Sequence, residues 1–156
     1  MYTGPIWTWE SVVGWSQILL VSYRRWLGAD LIEPGGDPAS QSHRLFHSPF
    51  VVVSHGIEDD PVLNYGNLTA LTLWELPWEE LVRTPSRLTA EPGDRMERED
   101  MLEQARTNGH IKNYQGVRIS KSGRRFLIEQ AVVWNVVDSR GQRLGQAATF
   151  SHWRFI

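Results

Sequence analysis

One stretch dominates the pattern of apolar and polar positions: residues 123–137, GRRFLIEQAVVWNVV, bounded by turn signals at Ser122-Gly123 and Asp138-Ser139-Arg140-Gly141. A run so rich in β-branched and aromatic residues predicts a long strand, central in its sheet. Side chains alternate across a strand. Strict alternation puts Leu127, Glu129, Ala131, Val133 and Asn135 on one face, and Phe126, Ile128, Gln130, Val132 and Trp134 on the other. Residues 111–120 and 142–155 predict flanking strands, because joints 121–123 and 138–141 are short enough for hairpins. Upstream, 49–54 (PFVVVS) and 61–65 (PVLNY) predict two shorter strands around the polar turn 55–60.

Helical periodicity occupies the remainder. Val12, Trp15, Leu19, Tyr23 and Trp26 recur at spacings of three and four, giving an N-terminal helix with one aromatic stripe. Thr8 or Ser11 can cap it, and Gly28 suits its left-handed stop. Asn67 is placed to cap a helix that Pro77 ends, and Trp78-Glu79-Glu80-Leu81 starts a short second one. Segment 84–93 is irregular. Asp94-Arg95-Met96-Glu97 has capping-box spacing and opens a helix to about Arg106, closed by Asn108-Gly109. Residues 33–42, EPGGDPASQS, read as loop. The expected organisation is an N-terminal helical extension (1–33), a linker (34–42) and a core domain (43–156). The order of elements gives an α+β fold, a five-stranded antiparallel sheet with helices on one face, plus the N-terminal helix.

Composition narrows the functions. A net charge of −2 lacks the basic face that nucleic-acid binding needs. The pairs Arg24-Arg25, Arg95/Arg98 and Arg124-Arg125 read as solvated surface. The absence of cysteine removes disulfides, thiolate nucleophiles and Cys-based metal sites, and fits a cytoplasmic protein. No signal peptide or membrane-spanning run is evident, so neither nucleic acid nor membrane is an expected partner. There is no P-loop, G-x-G-x-x-G or G-x-S-x-G motif, and no enzyme activity is expected. His43 and His47 lie four apart without the metalloprotease Glu, and read as surface histidines.

The segment Val62-Leu63-Asn64-Tyr65-Gly66-Asn67-Leu68-Thr69-Ala70-Leu71, followed by Leu76-Pro77-Trp78-Glu79-Glu80-Leu81, resembles the early half of PAS domains. Tyr114 to Val117 with Ser122-Gly123-Arg124-Arg125-Phe126 resembles the PAS strand pair joined at a Gly-containing turn. More closely, the chain is similar to the MEKHLA family, a PAS-like group, of the bacterial stand-alone type. That similarity rests on Gly123-Arg124-Arg125, on Glu129-Gln130-Ala131-Val132 with Trp134, and on Phe150, Trp153 and Phe155. Ser22-Tyr23-Arg24-Arg25-Trp26 and Pro85-Ser86-Arg87-Leu88 look like the bacterial members. Plant members of the family sit behind a homeodomain and zipper. Nothing like these precedes the domain here, so a DNA-linked role is not expected.

The resemblance implies a sensory or regulatory domain that holds a small molecule between sheet and helices, or makes dimer contacts in signalling. Small Ala131 and Ala148 with polar Glu129 and Gln146 would make a roomy, partly polar wall. Val133, Phe150, Arg87 and Asn67 complete the candidate pocket, with Arg87 or Glu129 orienting a polar-headed ligand. The plainer alternative is that the alanines permit close packing and the polar groups bond backbone. Glu129, on a core strand, needs a partner such as Arg87, Arg125 or His55. Without cysteine neither a covalent flavin adduct nor a thiol-anchored chromophore can form. A non-covalent flavin, a haem on His55 or His110, or a colourless metabolite stays open, and a colourless ligand or none is expected. The stripe of Trp15, Leu19, Tyr23 and Trp26 is expected either to dock on the sheet or to join a homodimer, with a separate effector protein receiving the signal. Two rival readings remain: a small enzyme using Glu129 and a pocket His, and a ligand-free dimerisation module.

Overall fold

The computed structural model describes residues 3–156. Its elements run in the order α1 (Glu10–Leu27), α2 (Pro38–Phe46), β1 (Val51–His55), β2 (Leu63–Gly66), α3 (Leu68–Trp74), α4 (Trp78–Leu81), α5 (Arg95–Asn108), β3 (His110–Ile119), β4 (Arg125–Val137), β5 (Arg143–Phe150) and β6 (His152–Phe155). All strand pairs are antiparallel, in the order β2-β1-β5-β4-β3. The fold is α+β with the expected PAS-like strand pattern. The last predicted strand is broken at Ser151, and β6 continues the pairing with β4 from Phe126↔Phe155 to Glu129↔His152.

Strand β4 does not alternate strictly. Gln130 takes φ 55° and Asn113, on the neighbouring strand, φ 56°. At both points the β3–β4 register shifts, from Ile111↔Val133 through Tyr114↔Ala131 to Gly116↔Ile128. A bulge adds one residue, so side-chain parity inverts across it. Phe126, Ile128 and Ala131 therefore share one core cluster, whereas Val132, Trp134 and Val136 pack on the opposite face. The two faces expected from strict alternation are correct after Gln130 and exchanged before it. Glu129 thus lies on the face away from Ala131.

That outer face is covered by α1 and α2. Val12, Leu19, Leu45, Phe46, Tyr65 and Trp134 form one buried cluster. Tyr23 meets Trp134 edge-on at 5.0 Å, and Trp15 Nε1 donates to Ser54 Oγ at 2.9 Å. Trp26 Nε1 donates to the Asn135 carbonyl at 2.9 Å, and Ser22 bonds both backbone groups of Val137. Of the two expected destinations of the aromatic stripe, the chain's own sheet is the one seen. Gly28 closes α1 in the left-handed conformation, φ 69°.

Two local expectations fail for identifiable reasons. The linker 34–42 is half helix, because Asp37 accepts from Ser40 N at 2.8 Å and Pro38 occupies the first helical turn. The buried residues Ser42, Leu45 and Phe46 of α2 then give it a packed face. At α5 the capping box is not made: Asp94 is already helical and ends a 3-10 turn, Pro92–Asp94, that leads directly into the helix. The second face of the sheet carries α3 and α5, with Trp74 against Phe126 and Phe150 at 5.4 and 6.2 Å.

Candidate functional site

A cavity lies between this second face and α5. Its floor is Val53 and His55 of β1, Ile128, Ala131 and Val133 of β4, and Gln146, Ala148 and Phe150 of β5. Arg98, Met101 and Leu102 of α5 and Trp74 of α3 roof it, and Tyr114 and Arg118 of β3 close one side. About 60 Å³ is open to the centre of a water molecule. One water needs on the order of 10–15 Å³ by that measure, so the space suits a few waters or one small organic molecule.

Helical spacing sets the roof. Positions 98, 101, 102 and 105 fall on one stripe of α5, and Arg98, Met101 and Ala105 are buried. Arg98 is 5% exposed. Its Nη2 donates to Ser86 Oγ at 2.8 Å, and Nη1 meets Glu99 Oε1 at 3.2 Å. Burial first, and then the nearby Arg118 charge, lower the Arg98 guanidinium to about 10. Arg118 is 6% exposed. It donates to the Val117 carbonyl at 2.8 Å and to the Tyr114 hydroxyl at 3.2 Å. Tyr114 can lie over this strand only because residue 116 is glycine: a Cβ there would stand 2.3 Å from the phenol oxygen.

His55 Nδ1 sits 2.9 Å from the Gly56 carbonyl. A carbonyl only accepts, so Nδ1 carries the proton and Nε2 is a bare acceptor, buried without a partner. Burial lowers the imidazole to about 4; the Gly56 bond opposes this, and the Arg98 and Arg143 charges add to it. Gln146 Nε2 donates to the Leu102 carbonyl at 2.9 Å and to Asn135 Oδ1 at 3.2 Å. Asn135 Nδ2 donates in turn to the Arg106 carbonyl at 3.0 Å.

Of the pocket residues expected from sequence, Ala131, Val133, Gln146, Ala148 and Phe150 come together here, and Glu129, Arg87 and Asn67 do not. Glu129 is half-exposed on the outer face, 3.5 Å from Arg154, which replaces the expected partners Arg87, Arg125 and His55. With the sheet between them, Glu129 and His55 assemble no acid–base pair. Arg87 reaches outward to Asp60 at 3.2 Å. Asn67 is buried in the backbone around α3. His43 and His47 stack on each other at 4.4 Å beside Trp7, and His110 lies against Trp26 at 6.4 Å. Among the described residues no group of three His, Cys, Asp or Glu could hold a metal, and no helix is long and apolar enough to cross a membrane.

Sequence reasoning missed both arginines. Arg98 was legible, since an arginine on the same helical stripe as Met101 and Ala105 points inward. Its assignment to solvated surface came from reading it as one of several scattered arginine pairs, with Arg95. Arg118 carried no such signal, because the bulge at Asn113 decides its face.

The chain matches the MEKHLA domain over residues 13–155. It belongs to the MEKHLA family. The match takes in most of α1 and all of the sheet, so helix and cavity are parts of the MEKHLA domain alike. No curated protein sequence matches the chain. The MEKHLA domain is similar to the PAS domain of a Colwellia psychrerythraea protein: 17% identity, 75% of this chain and 94% of that one, TM-score 0.63. It is similar to a light-oxygen-voltage domain studied with a flavin analogue: 14% identity, 75% and 84%, TM-score 0.59. It is also similar to the dark structure of the blue-light photoreceptor Aureochrome1 LOV: 17% identity, 78% and 86%, TM-score 0.54. At these identities the likeness is one of fold.

Proposed function

We propose that the MEKHLA domain is a sensory or regulatory module that takes up one small molecule between its sheet and α5. The observation that carries this reading is the cavity itself, in which small Ala131 and Ala148 leave room beneath buried polar groups. Such a combination of apolar wall and few fixed polar groups is the usual character of a ligand site. The names of the similar photoreceptor domains support a receptor role and not its photochemistry. A covalent flavin adduct is excluded, since the chain has no cysteine.

A bound state has a route out of the cavity. Gln146 bonds both α5 and Asn135, and the Asn135 backbone carbonyl accepts from Trp26 of α1 on the opposite face. Ligand contact at Gln146 would thus bias the seating of both helices, and the output would pass from them to a separate protein. Native mass spectrometry of gently purified protein tests the uptake, with Ala148→Leu and Ala131→Leu filling the space. A co-purifying mass lost in both variants is expected. An unliganded parent that also ignores a broad metabolite panel in thermal-shift assays would overturn the proposal.

A further inference from the structure

Two guanidinium groups, Arg98 and Arg118, line the cavity and are each more than nine-tenths buried. No Asp or Glu is among the described residues lining it. The one carboxylate in contact, Glu99, has a side chain 64% exposed, so its charge is solvated and answers Arg98 weakly. Arg118 is met by a carbonyl and a phenol, both uncharged. Each guanidinium makes two hydrogen bonds to the protein and has further N–H groups to give. Two like charges held together in a low-dielectric space are costly unless an anion answers them. Burial first, and the Arg118 charge after it, hold the Arg98 guanidinium below its ordinary value.

We propose that the natural ligand of this cavity is a small organic carboxylate, its anionic head bound by Arg98 and Arg118 and its short apolar body against Trp74, Met101, Ile128 and Phe150. The proposal rests on the ligand-binding reading above and assigns the chemical class. A carboxylate suits the site better than inorganic phosphate. Planar guanidinium forks pair with either anion, but Trp74, Met101, Ile128 and Phe150 on the same wall give an organic body apolar contact that a bare phosphate cannot use. The bare Nε2 of His55 adds a preference: it accepts a hydrogen, so a hydroxyl on the ligand body would have a partner there.

Isothermal titration of the full chain with propionate, 2-hydroxypropionate and succinate tests this, with propionamide and inorganic phosphate as controls. At least one carboxylate should bind, propionamide and phosphate about tenfold or more weaker. Arg98→Met and Arg118→Met should each lose about tenfold or more in carboxylate affinity. Arg98→Lys, which keeps the charge, guards against a folding defect and should retain part of the binding. Equal binding of propionamide, tighter binding of phosphate, or no binding by any of the carboxylates would overturn the proposal. A neutral compound displaced by Ala148→Leu but indifferent to Arg98→Lys would overturn the carboxylate assignment while leaving the ligand-binding reading intact.

Discussion

The side-chain amide of Asn67 bonds four backbone groups at once. Its oxygen accepts from Val52 N and Ala70 N, each at 3.1 Å, and its nitrogen donates to the carbonyls of Leu45 at 3.2 Å and Phe50 at 2.9 Å. It ties the end of α2, the start of β1 and the cap of α3 together in a fully buried site. Asn67→Ala would strand these groups, so we expect a loss of about 3–5 kcal/mol in urea denaturation, a cap and several buried bonds together. A loss under about 1 kcal/mol would show the network is not formed. His55 governs a pH dependence. Folded, its imidazole titrates at about 4, against 6.5 for the ordinary group. Between those values the unfolded chain binds more protons, so stability is level above pH 6.5 and falls as pH drops towards 4. The total is about 3 kcal/mol. The charges facing it are Arg98, Arg143 and Glu58. In His55→Asn this slope should flatten, which denaturation midpoints at pH 4.5 and 7 would reveal; an unchanged slope would locate it elsewhere.

At the scale of elements, the bulge at Gln130 decides which half of β4 faces the cavity. Gln130 is exposed and adopts a backbone conformation that suits glycine. Gln130→Gly should therefore be neutral or stabilise by up to about 1 kcal/mol, and Gln130→Val should destabilise by roughly 1–2 kcal/mol. A stabilising valine, measured by thermal denaturation, would mean the strand runs without the bulge and Glu129 faces the cavity after all. The helix α2 shows the same dependence on context. Its residues 38–42 are small and polar and look like linker, yet Asp37 and Pro38 start a helix that Leu45 and Phe46 anchor to the core. The strand pattern and the stop at Gly28 were legible because periodicity and glycine act locally. Bulge parity was not, because it depends on the register in which β4 pairs with β3.

For the whole molecule, the sheet is covered on both faces, by α1 and α2 on one and by α3 and α5 on the other. Trp134 and Val136 are fully buried beneath α1. Removing residues before Pro34 should expose this face. A truncated protein is expected to bind a hydrophobic dye, melt well below the parent and change its mass in light scattering. An equally stable, dye-negative and monodisperse product would show that α1 is not part of the core. Since the aromatic stripe is engaged within the chain, a homodimer would have to use another surface. Among the described large hydrophobics, Val21 and Met96 are exposed at 66% and 79%.

The sequence by itself carried the resemblance to the MEKHLA family in its motifs, and it determined the strand order in the chain, the helix stop at Gly28 and the cap at Asn67. The last three follow from spacing and turn chemistry, which act over a few residues. Tertiary structure alone decided that Glu129 leaves the cavity, that the aromatic stripe docks on its own sheet, and that Arg98 and Arg118 line one cavity. Each of these depends on residues far apart in sequence: bulges on two neighbouring strands, a helix lying across a strand more than a hundred positions away, and two cations carried by different elements into one cavity.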